Sequence, residues 1–523
     1  MPATTSTHAA PVALGLDLGT SSAKLLALDA TGVVVAATGG TPYRTAAPAP
    51  GWAEQDPGAW WRAARAECRA LLADERMAGR TVAAIGLTGQ MHGATLLDAA
   101  NRPLRPALIW ADARGAAELA ELAARLAPGD LLATTGSAPY ASATLAKLLW
   151  LRAHEPALFA RAAHVLLAKD YVRLRLTGAH ATDPSDAAGT QLYDIARGAW
   201  APEVLASARI DPALLPPVLP SDGMAGTLTA WAARATGLPR GVPVVVGGGD
   251  AMCAAYGMGL GERAAAAGAR ELLISIGTAG QVAVVADRPL IAAGGAVQTL
   301  NYVLPDRWLV MGAILAAGHA LAWLARAVAS PRTVRVSYAR LNGLLNEAAQ
   351  TAPGADGLLF LPTLRGERGS EEGISARGAC VGLTAGHTRA HLARAVVEGV
   401  AFALRARLEA MRAAGIAVER ALVAGGSSRH PLWQQVLADA LDLPTDIGES
   451  EHGSALGAAR LAARATFGDP FQGTPPPTLL SYDPDPATMR LYDDLYALSQ
   501  QMTTALRPTF RALGALPGAS PRA

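Results

Sequence analysis

The pattern of apolar and polar residues begins with two short apolar runs that meet at a glycine. Residues 14–18 and 25–28 are mostly apolar, and Gly19-Thr20 lies between them. Two apolar runs joined by such a turn predict a β-hairpin. A third run at residues 33–37 extends the hairpin into an antiparallel meander, and we expect the apolar run at residues 82–88 to join the same sheet.

The same pattern returns in the second half of the chain. Residues 272–287 again form two apolar runs around a Gly-Thr pair, Gly277-Thr278, and the closing aspartates Asp29 and Asp287 stay in register. Each copy on its own indicates only a turn. Duplication predicts two related domains, whose hairpin turns present backbone N–H groups and hydroxyls to phosphates from two sides of a cleft.

Two further apolar runs end in glycines. Residues 242–250 end in three glycines and Asp250, and residues 421–428 repeat the feature with Gly425-Gly426-Ser427. Between such runs, short β patterns alternate with longer segments rich in Ala, Leu and Arg. This alternation predicts an α/β fold of two related domains, with mixed sheets flanked by helices around a central cleft.

We expect an N-terminal domain at residues 11–260, a C-terminal domain at 261–466, and a Pro-rich connection with a terminal helix at 467–523. The junction is expected near residues 257–268, where small residues dominate. Pro475, Pro476 and Pro477 are too stiff and too poor in donors for a helix. Beyond them, apolar residues recur at helical spacing, which indicates a helix that packs back on the body; a partner-binding helix is the alternative.

Composition excludes several classes of function. Hydrophobic residues make up 51% of the 523 residues, but much of the excess is alanine, and no run approaches the roughly 18 uncharged residues that a membrane span needs. The first ten residues carry no secretory signal pattern, so we expect a cytoplasmic protein. A net charge of +2 offers no block suited to nucleic acid, and Cys68, Cys253 and Cys380 lack metal-ligand spacing. Small-molecule chemistry remains.

The hairpin turns carry residues suited to phosphoryl transfer, which needs anchored phosphates, a metal and an acid that takes a proton. Asp17 lies where it could orient Mg²⁺ through water, with Thr20, Ser21 and Lys24 as nearby donors. Gly277 and Thr278 would face a nucleotide from the other domain.

Two glycines and a serine of the second half suit the same ligand. Gly425, Gly426 and Ser427 end a strand at a predicted helix N-terminus, where the missing Cβ atoms permit close approach of a nucleotide. On its own this motif is weak.

Candidate groups for the second substrate lie elsewhere in the first half. Asp250 follows three glycines on a tight turn, as a helix cap, a catalytic base or both. His92 follows the 82–88 run and could hold a polar substrate, although a single histidine is often structural. Trp110, among charged groups, suits the C–H face of a sugar and equally suits ordinary packing.

These motifs, in this order, resemble those of the FGGY carbohydrate kinases, within the actin and sugar-kinase ATPase superfamily. The resemblance runs from residue 14 to about residue 463 and is carried by residues 51–57, 89–93, 182–190, 359–362, 366–368, 376–384 and 391–398, with residues 142–154 similar to the first family signature. Within the family, the motifs are most similar to those of members that act on D-xylulose.

The resemblance implies roles for individual residues. Asp250 takes the position of the catalytic base, Met91 and His92 those of ketose contacts, and Asp17 that of the residue orienting metal and phosphate. ATP, with Mg²⁺, would lie between the domains against Gly277, Thr278, Gly318, Gly425, Gly426 and Ser427. The implied reaction is phosphorylation of D-xylulose at its terminal hydroxyl, giving D-xylulose 5-phosphate and ADP.

The chain departs from the family pattern at four places. Ala111 stands where an asparagine is expected, residues 365–375 lack a Pro-His pair, Cys380 replaces a larger apolar residue, and Tyr140 is similar to an aromatic of glycerol kinases. The sugar is therefore open: a kinase of ribulose, ribitol or glycerol is the first alternative, and a non-catalytic nucleotide-dependent sugar sensor the second. The expected partners are the sugar and ATP, with neither nucleic acid nor membrane, and a homodimer is one candidate assembly.

Overall fold

The computed structural model of the chain describes residues 10–127, 129–262, 270–292, 295–328, 337–367, 376–425, 429–448, 452–471 and 478–516. Most of the expected Pro-rich connection, including Pro475 to Pro477, lies outside these residues, as does part of the expected junction at 257–268. Within the described residues, no helix is both long and apolar enough to cross a bilayer.

Strands and helices alternate in the first half as the sequence predicts. The strands are β1 (Ala10–Leu18), β2 (Ser22–Asp29), β3 (Val34–Ala37), β4 (Thr41–Pro42), β5 (Glu54–Gln55), β6 (Arg80–Gly89), β7 (Thr95–Leu97), β8 (Ala107–Leu108), β9 (His164–Leu166), β10 (Tyr193–Asp194), β11 (Ala199–Trp200), β12 (Met224–Thr227), β13 (Pro243–Val245) and β14 (Gly248–Gly249). The helices are α1 (Pro57–Leu72), α2 (Ala116–Arg125), α3 (Asp130–Thr135), α4 (Thr144–His154), α5 (Pro156–Phe159), α6 (Ala168–Thr177), α7 (Pro184–Ala188), α8 (Pro202–Ala208), α9 (Ala230–Thr236) and α10 (Asp250–Gly257).

The second half continues the alternation. Its strands are β15 (Glu271–Ile276), β16 (Gly280–Ala286), β17 (Gln298–Asn301), β18 (Trp308–Ile314), β19 (Leu359–Leu361), β20 (Ala379–Val381), β21 (Arg420–Ala424), β22 (Thr445–Gly448) and β23 (Thr478–Tyr482). Its helices are α11 (Gly318–Ala327), α12 (Tyr338–Ala349), α13 (Arg389–Ala413), α14 (Pro431–Leu441), α15 (Gly453–Arg464) and α16 (Pro486–Gly514).

Each half is built on one large mixed sheet. The first has the order β12-β13-β6-β1-β2-β3 and the second the order β17-β18-β16-β15-β21-β22-β23. In the first sheet β1 pairs antiparallel with β2 and parallel with β6, and in the second β15 pairs antiparallel with β16 and parallel with β21. The two predicted hairpins, the 82–88 strand and the two-domain α/β fold class are thus confirmed.

Helices α10 and α15 pack between the two sheets. The apolar side chains of α10, such as Met252 and Tyr256, share one core with Ala13 of the first sheet and Leu422 of the second. Helix α15 lies late in the sequence, yet it packs on β1, β2 and β6 of the first sheet. The sequence pattern did not predict this crossing, because it depends on contacts between residues several hundred positions apart.

The backbone of α15 comes unusually close to the first sheet and to α10. A Cβ atom built on Gly86 would lie 1.9 Å from the Ala458 carbonyl oxygen, and one built on Gly457 would lie 1.9 Å from that of Cys253. No side chain fits such a gap. Glycine is therefore required at these contacts, by space alone.

The two halves also meet away from these helices. The Thr299 N–H of β17 donates to the Gly136 carbonyl, and the side chains of Asn301 and Trp308 both donate to the Ile195 carbonyl. These contacts link the first strand pair of the second sheet to loops of the first half. The cleft between the sheets is thus bordered on one side by a hydrogen-bonded contact.

The terminal helix α16 packs back on the second half, as the sequence favours. Tyr492 is fully buried, and its hydroxyl donates a hydrogen bond to Glu398 of α13. The Glu398 carboxylate also accepts a hydrogen bond of 2.8 Å from Arg394. Leu495 is buried beside it, while Leu491 and Leu498 are exposed. Only part of the predicted apolar face of α16 is therefore buried in this contact.

The close packing of α15 generates a stability prediction. In Gly86→Ala the new methyl group meets a backbone carbonyl that cannot rotate away, so helix and sheet must separate at a cost of about 1–3 kcal/mol. We expect a lower melting temperature by differential scanning fluorimetry. The control is Gly39→Ala, where a Cβ atom meets nothing within 4 Å; equal melting temperatures for the two variants would contradict the packing argument.

Candidate active site

A cavity of about 250 Å³ opens between the two sheets. Its lining comes from both halves and includes Asp17, Lys24, Ala251, Ser275, Gly425 and His452. Helices α10 and α15 both begin at this cavity, and a helix N-terminus carries partial positive charge. The place suits an anionic ligand held from two sides.

Asp17 lies near the end of β1, directly across the hairpin from Lys24. Its Oδ1 atom is buried and has no hydrogen-bond partner. Burial is the main reason that its pKa is raised to about 7, the nearby Asp250 carboxylate raises it further, and Lys24 lowers it. A buried carboxylate oxygen without a partner is a group that is poised to receive a ligand.

Asp250 is the first residue of α10. The short strand β14 pairs with Thr88 and Gly89 at the end of β6. Asp250 directly follows β14, so its position is set by this edge of the first sheet. The helix cap is Gly249, and the Asp250 Oδ1 accepts a hydrogen bond of 2.8 Å from the Ala251 N–H. Burial raises the pKa of Asp250 to about 6, and that backbone bond opposes the shift.

The turn of the first hairpin is held by side chains from outside it. The Thr20 carbonyl accepts from Gln55 and its hydroxyl accepts from the Trp110 indole N–H, at 2.7 and 2.8 Å. The Gly19 carbonyl accepts from the Tyr43 hydroxyl. Trp110 is 40% exposed, so one face of its ring stays open to solvent.

Two more donors were predicted for this turn, Ser21 and Lys24. Ser21 and Lys24 are exposed. Lys24 also lines the cavity with Asp17. Of the predicted donors, Lys24 is thus the one whose side chain shares the cavity with the acid.

Three of the predicted nucleotide residues lie together at the turn of the second hairpin. The Gly318 N–H donates to the Gly277 carbonyl at 2.9 Å, and the Thr278 carbonyl accepts from the N–H groups of Ala317 and His319. Gly425 lies so close to β15 that a Cβ atom on it would be 2.4 Å from the Ile276 carbonyl oxygen. Gly426 and Ser427 lie outside the described residues.

Met91 and His92 follow the end of β6. The Met91 sulfur lies 2.7 Å from where a Cβ atom of Gly249 would be, so Met91 packs on the residue before Asp250. His92 has a φ of 64°, a left-handed backbone conformation. Of the predicted sugar contacts, Met91 therefore packs against the residue that precedes the predicted base.

The His92 ring is oriented by a backbone carbonyl. Its Nδ1 lies 2.7 Å from the Gly189 carbonyl oxygen, and the Tyr140 hydroxyl donates to the same oxygen at 2.8 Å. A carbonyl oxygen only accepts, so Nδ1 is assigned the proton and Nε2 the lone pair in the neutral ring. Tyr140, one of the departures from the family pattern, thus contacts His92 directly, at 3.2 Å.

Two further departures lie within the described residues. Cys380 is partly buried and packs against the core of the second half, and Ala111 is exposed. Most of residues 365–375, from 368 onward, lies outside the described residues.

Several site residues were missed by the sequence analysis. Tyr43, Ser275, Gln281 and His452 line or border the cleft, but none belongs to a glycine-rich turn. Ser275 had a signal, because it occupies the place in the second hairpin that Asp17 has in the first. Tyr43 and His452 carried no local signal.

The donor set fits a hard divalent cation only in part. Among the described residues, no group of three or more His, Cys, Asp or Glu side chains could hold a metal ion. Mg²⁺ is commonly bound through one or two carboxylates, several waters and the phosphates of a substrate. The unpartnered Oδ1 of Asp17 fits such a site.

Comparison with known proteins gives the same family over nearly the whole chain. The N-terminal domain of the FGGY family of carbohydrate kinases matches residues 12–257, and its C-terminal domain matches residues 272–466. The xylulose kinase of Escherichia coli (strain K12) is 38% identical over 451 residues, which is 86% of this chain and 89% of that protein.

Two further relatives cover still more of the chain. The xylulose kinase of Klebsiella pneumoniae is 36% identical over 502 residues, 95% of this chain and 99% of that protein. The crystal structure of xylulose kinase from Rhodospirillum rubrum superposes with a TM-score of 0.88 at 33% identity, covering 96% of this chain and all of the other.

The raised pKa of Asp17 gives a stability prediction with a definite sign. Its folded pKa of about 7 lies above the ordinary 3.8, so ionisation makes the folded state progressively less stable between about pH 4 and 7. Asn cannot ionise. We therefore compare the melting temperature of Asp17→Asn with that of the native chain at each pH. The difference, variant minus native, should be about 2–4 °C larger at pH 8 than at pH 5.

The matched control is Asp494→Asn, which changes an exposed carboxylate of α16. Its difference in melting temperature from the native chain should be the same at both pH values. A pH-independent effect of Asp17→Asn would contradict the electrostatic description of the cleft.

Proposed function

The chain belongs to the FGGY family of carbohydrate kinases, and from this premise we propose that it transfers the terminal phosphoryl group of ATP to the terminal hydroxyl of D-xylulose. The products are D-xylulose 5-phosphate and ADP. The observation that carries the proposal is that Asp17, Lys24 and Gly425 line one cavity between the two sheets, while the Asp250 carboxylate lies near enough to Asp17 to raise its pKa. Three relatives bearing the name xylulose kinase support the choice of sugar.

Asp250 is the general base of this proposal. Its carboxylate accepts the proton of the sugar hydroxyl while the oxygen bonds to the γ-phosphorus and the bond from γ-phosphorus to the β–γ bridging oxygen breaks. A pKa of about 6 leaves the group ionised near neutral pH, yet a better proton acceptor than an ordinary aspartate. ADP leaves with the electron pair of the broken bond.

The nucleotide is bound from the second half. Gly277, Thr278, Gly318 and Gly425 form a surface of backbone with little side-chain bulk, which lets phosphates approach closely. Asp17 with its waters would hold Mg²⁺, which supplies neutralisation of the charge that develops on the phosphates. Gly426 and Ser427, which the sequence also assigns to the nucleotide, lie outside the described residues.

The sugar is bound from the first half. The His92 ring, held at Nδ1 by the Gly189 carbonyl, would contact a hydroxyl of the sugar. Met91 packs beside Asp250, and the exposed face of Trp110 can cover a C–H surface of the sugar. These side chains would place the terminal hydroxyl next to the base.

Two features remain part of the proposal. We expect a cytoplasmic enzyme, since the proposed reaction consumes ATP and forms a charged sugar phosphate. A homodimer stays one candidate assembly, which sedimentation of the purified chain would test.

The first functional prediction concerns the sugar and the base together. We expect ADP release, coupled to NADH oxidation, to be fastest with D-xylulose among D-xylulose, D-ribulose, ribitol and glycerol. Asp250→Asn should lower kcat at least about 10²- to 10⁴-fold, because it removes the proton acceptor at nearly constant volume. Sugar binding should survive.

Each outcome excludes a specific alternative. A faster rate with another member of the panel identifies a different sugar kinase, and no turnover with any member favours the sensor. Turnover by Asp250→Asn within about threefold of the native chain would show that Asp250 is not the base.

The second functional prediction concerns His92. In His92→Asn the smaller side chain tolerates the left-handed backbone but no longer offers a ring nitrogen at the same place. Loss of one hydrogen bond costs about 1–3 kcal/mol, so D-xylulose should bind roughly 5- to 150-fold more weakly by isothermal titration calorimetry. ADP affinity should stay within about twofold.

The control for this variant is His154→Asn, a largely exposed histidine paired with Glu118. Its affinity for D-xylulose should equal that of the native chain. Unchanged D-xylulose binding in His92→Asn would return His92 to a structural role.

A further inference from the structure

A buried cluster of charges lies behind the catalytic turn. Lys169 Nζ contacts the carboxylates of Asp170, Asp183 and Asp186 at 2.7, 2.9 and 3.0 Å, and all four side chains are fully buried. Arg173 joins the cluster through Asp170 and also donates to the Val246 carbonyl at 2.9 Å. The cluster thus braces the strand that leads to Gly247, Gly248 and Gly249.

The cluster controls the direction of one hydroxyl. Ser185 donates its hydroxyl hydrogen to Asp183 Oδ2 at 2.5 Å, and its own N–H reaches the same oxygen at 2.9 Å. Asp183 is acceptor-only when ionised, so the Ser185 lone pairs point away from it. One of them accepts the Gly249 N–H at 3.0 Å.

Gly249 is the residue immediately before Asp250 and the cap of α10. A glycine has more backbone freedom than any other residue, and a Cβ at this place would collide with Met91. Backbone hydrogen bonds must therefore supply the restraint that a side chain cannot. The bond to Ser185 does so at the position that sets the direction of Asp250.

The same short segment reaches the sugar side of the cleft. Helix α7 carries Ser185, and Gly189, just after it, accepts hydrogen bonds from His92 and Tyr140. The distance between the base and the sugar contact therefore depends on one buried segment, residues 183–189, which is fixed by Lys169.

We propose that Ser185 is a positioning residue for the reaction: its hydroxyl, oriented by Asp183, holds the Gly249 N–H and thereby aims the Asp250 carboxylate at the hydroxyl of the sugar. This inference rests on the proposed role of Asp250. Ser185 itself is fully buried, so the proposal gives it no contact with either substrate. Its loss should leave binding intact and slow the chemical step.

Ser221 provides a matched control. It is 2% exposed, and its hydroxyl donates to the same Asp183 Oδ2 at 2.9 Å. Ser185→Ala and Ser221→Ala each remove one donor from that oxygen. In the described contacts, the hydroxyl of Ser185 reaches Gly249 and that of Ser221 does not.

The test is steady-state kinetics of the full chain, with ATP and the best sugar of the panel. We expect Ser185→Ala to lose about 10- to 100-fold in kcat, since misplacement of a catalytic group by about 1 Å has effects of that size. Both KM values should stay within about threefold. Ser221→Ala should keep kcat within about threefold, with a melting temperature close to that of Ser185→Ala.

A second variant covers the case in which Ser185→Ala does not fold. Ser185→Cys is nearly isosteric but a weak acceptor, and it should lose kcat in the same direction. Equal loss of kcat in Ser185→Ala and Ser221→Ala would overturn the proposal, because it would trace the effect to Asp183 alone. Unchanged kcat in Ser185→Ala, or failure of both Ser185 variants to fold, would overturn it as well.

The two proposals fail in distinguishable ways. If Asp250→Asn keeps its turnover, the role of the base is wrong, whatever Ser185 does. If Asp250→Asn is inactive but the two serine variants behave alike, only the positioning role is wrong.

Discussion

The backbone contact of α10 and α15 is the constraint on which the site depends. The two helices meet where Gly457 faces the Cys253 carbonyl, and α15 meets the first sheet where Gly86 faces Ala458. Side chains of ordinary size would push these elements apart. Because α10 begins with Asp250 and α15 begins with Gly453, this packing brings both helix N-termini to one cavity.

That arrangement brings two buried carboxylates, Asp17 and Asp250, close together. Burial is the largest cause of the raised pKa of both Asp17 and Asp250, and the Asp250 carboxylate raises the pKa of Asp17 further. The N-termini of α10 and α15 and the Lys24 ammonium oppose this cost only in part. A site of this kind is less stable when empty than when it holds a cation and phosphates, which is the trade between stability and activity seen in many enzymes.

The sequence predicted what is local and repeated. Gly19-Thr20 and Gly277-Thr278 mark both hairpins, and apolar periodicity marks β6 and α16, because these signals depend on neighbours in the chain. The packing of α15 on the first sheet had no such signal. Nor did the cluster around Lys169: residues 182–190 contributed to the family resemblance, but nothing local in them shows that the charges of Asp183 and Asp186 are buried. The domain boundary at 260/261 stays a prediction.

Tyr140 bears on the choice of sugar through His92. Its hydroxyl donates to the Gly189 carbonyl, so it shares the acceptor that fixes the His92 ring. Tyr140, which resembles an aromatic residue of glycerol kinases, therefore contacts His92 and donates its hydroxyl hydrogen to a carbonyl of the protein itself. The resemblance at Tyr140 alone is therefore a weak argument for glycerol as the substrate. Specificity depends on the polar groups that contact the substrate, and Tyr140 uses its hydroxyl hydrogen on the same Gly189 carbonyl that holds the His92 ring.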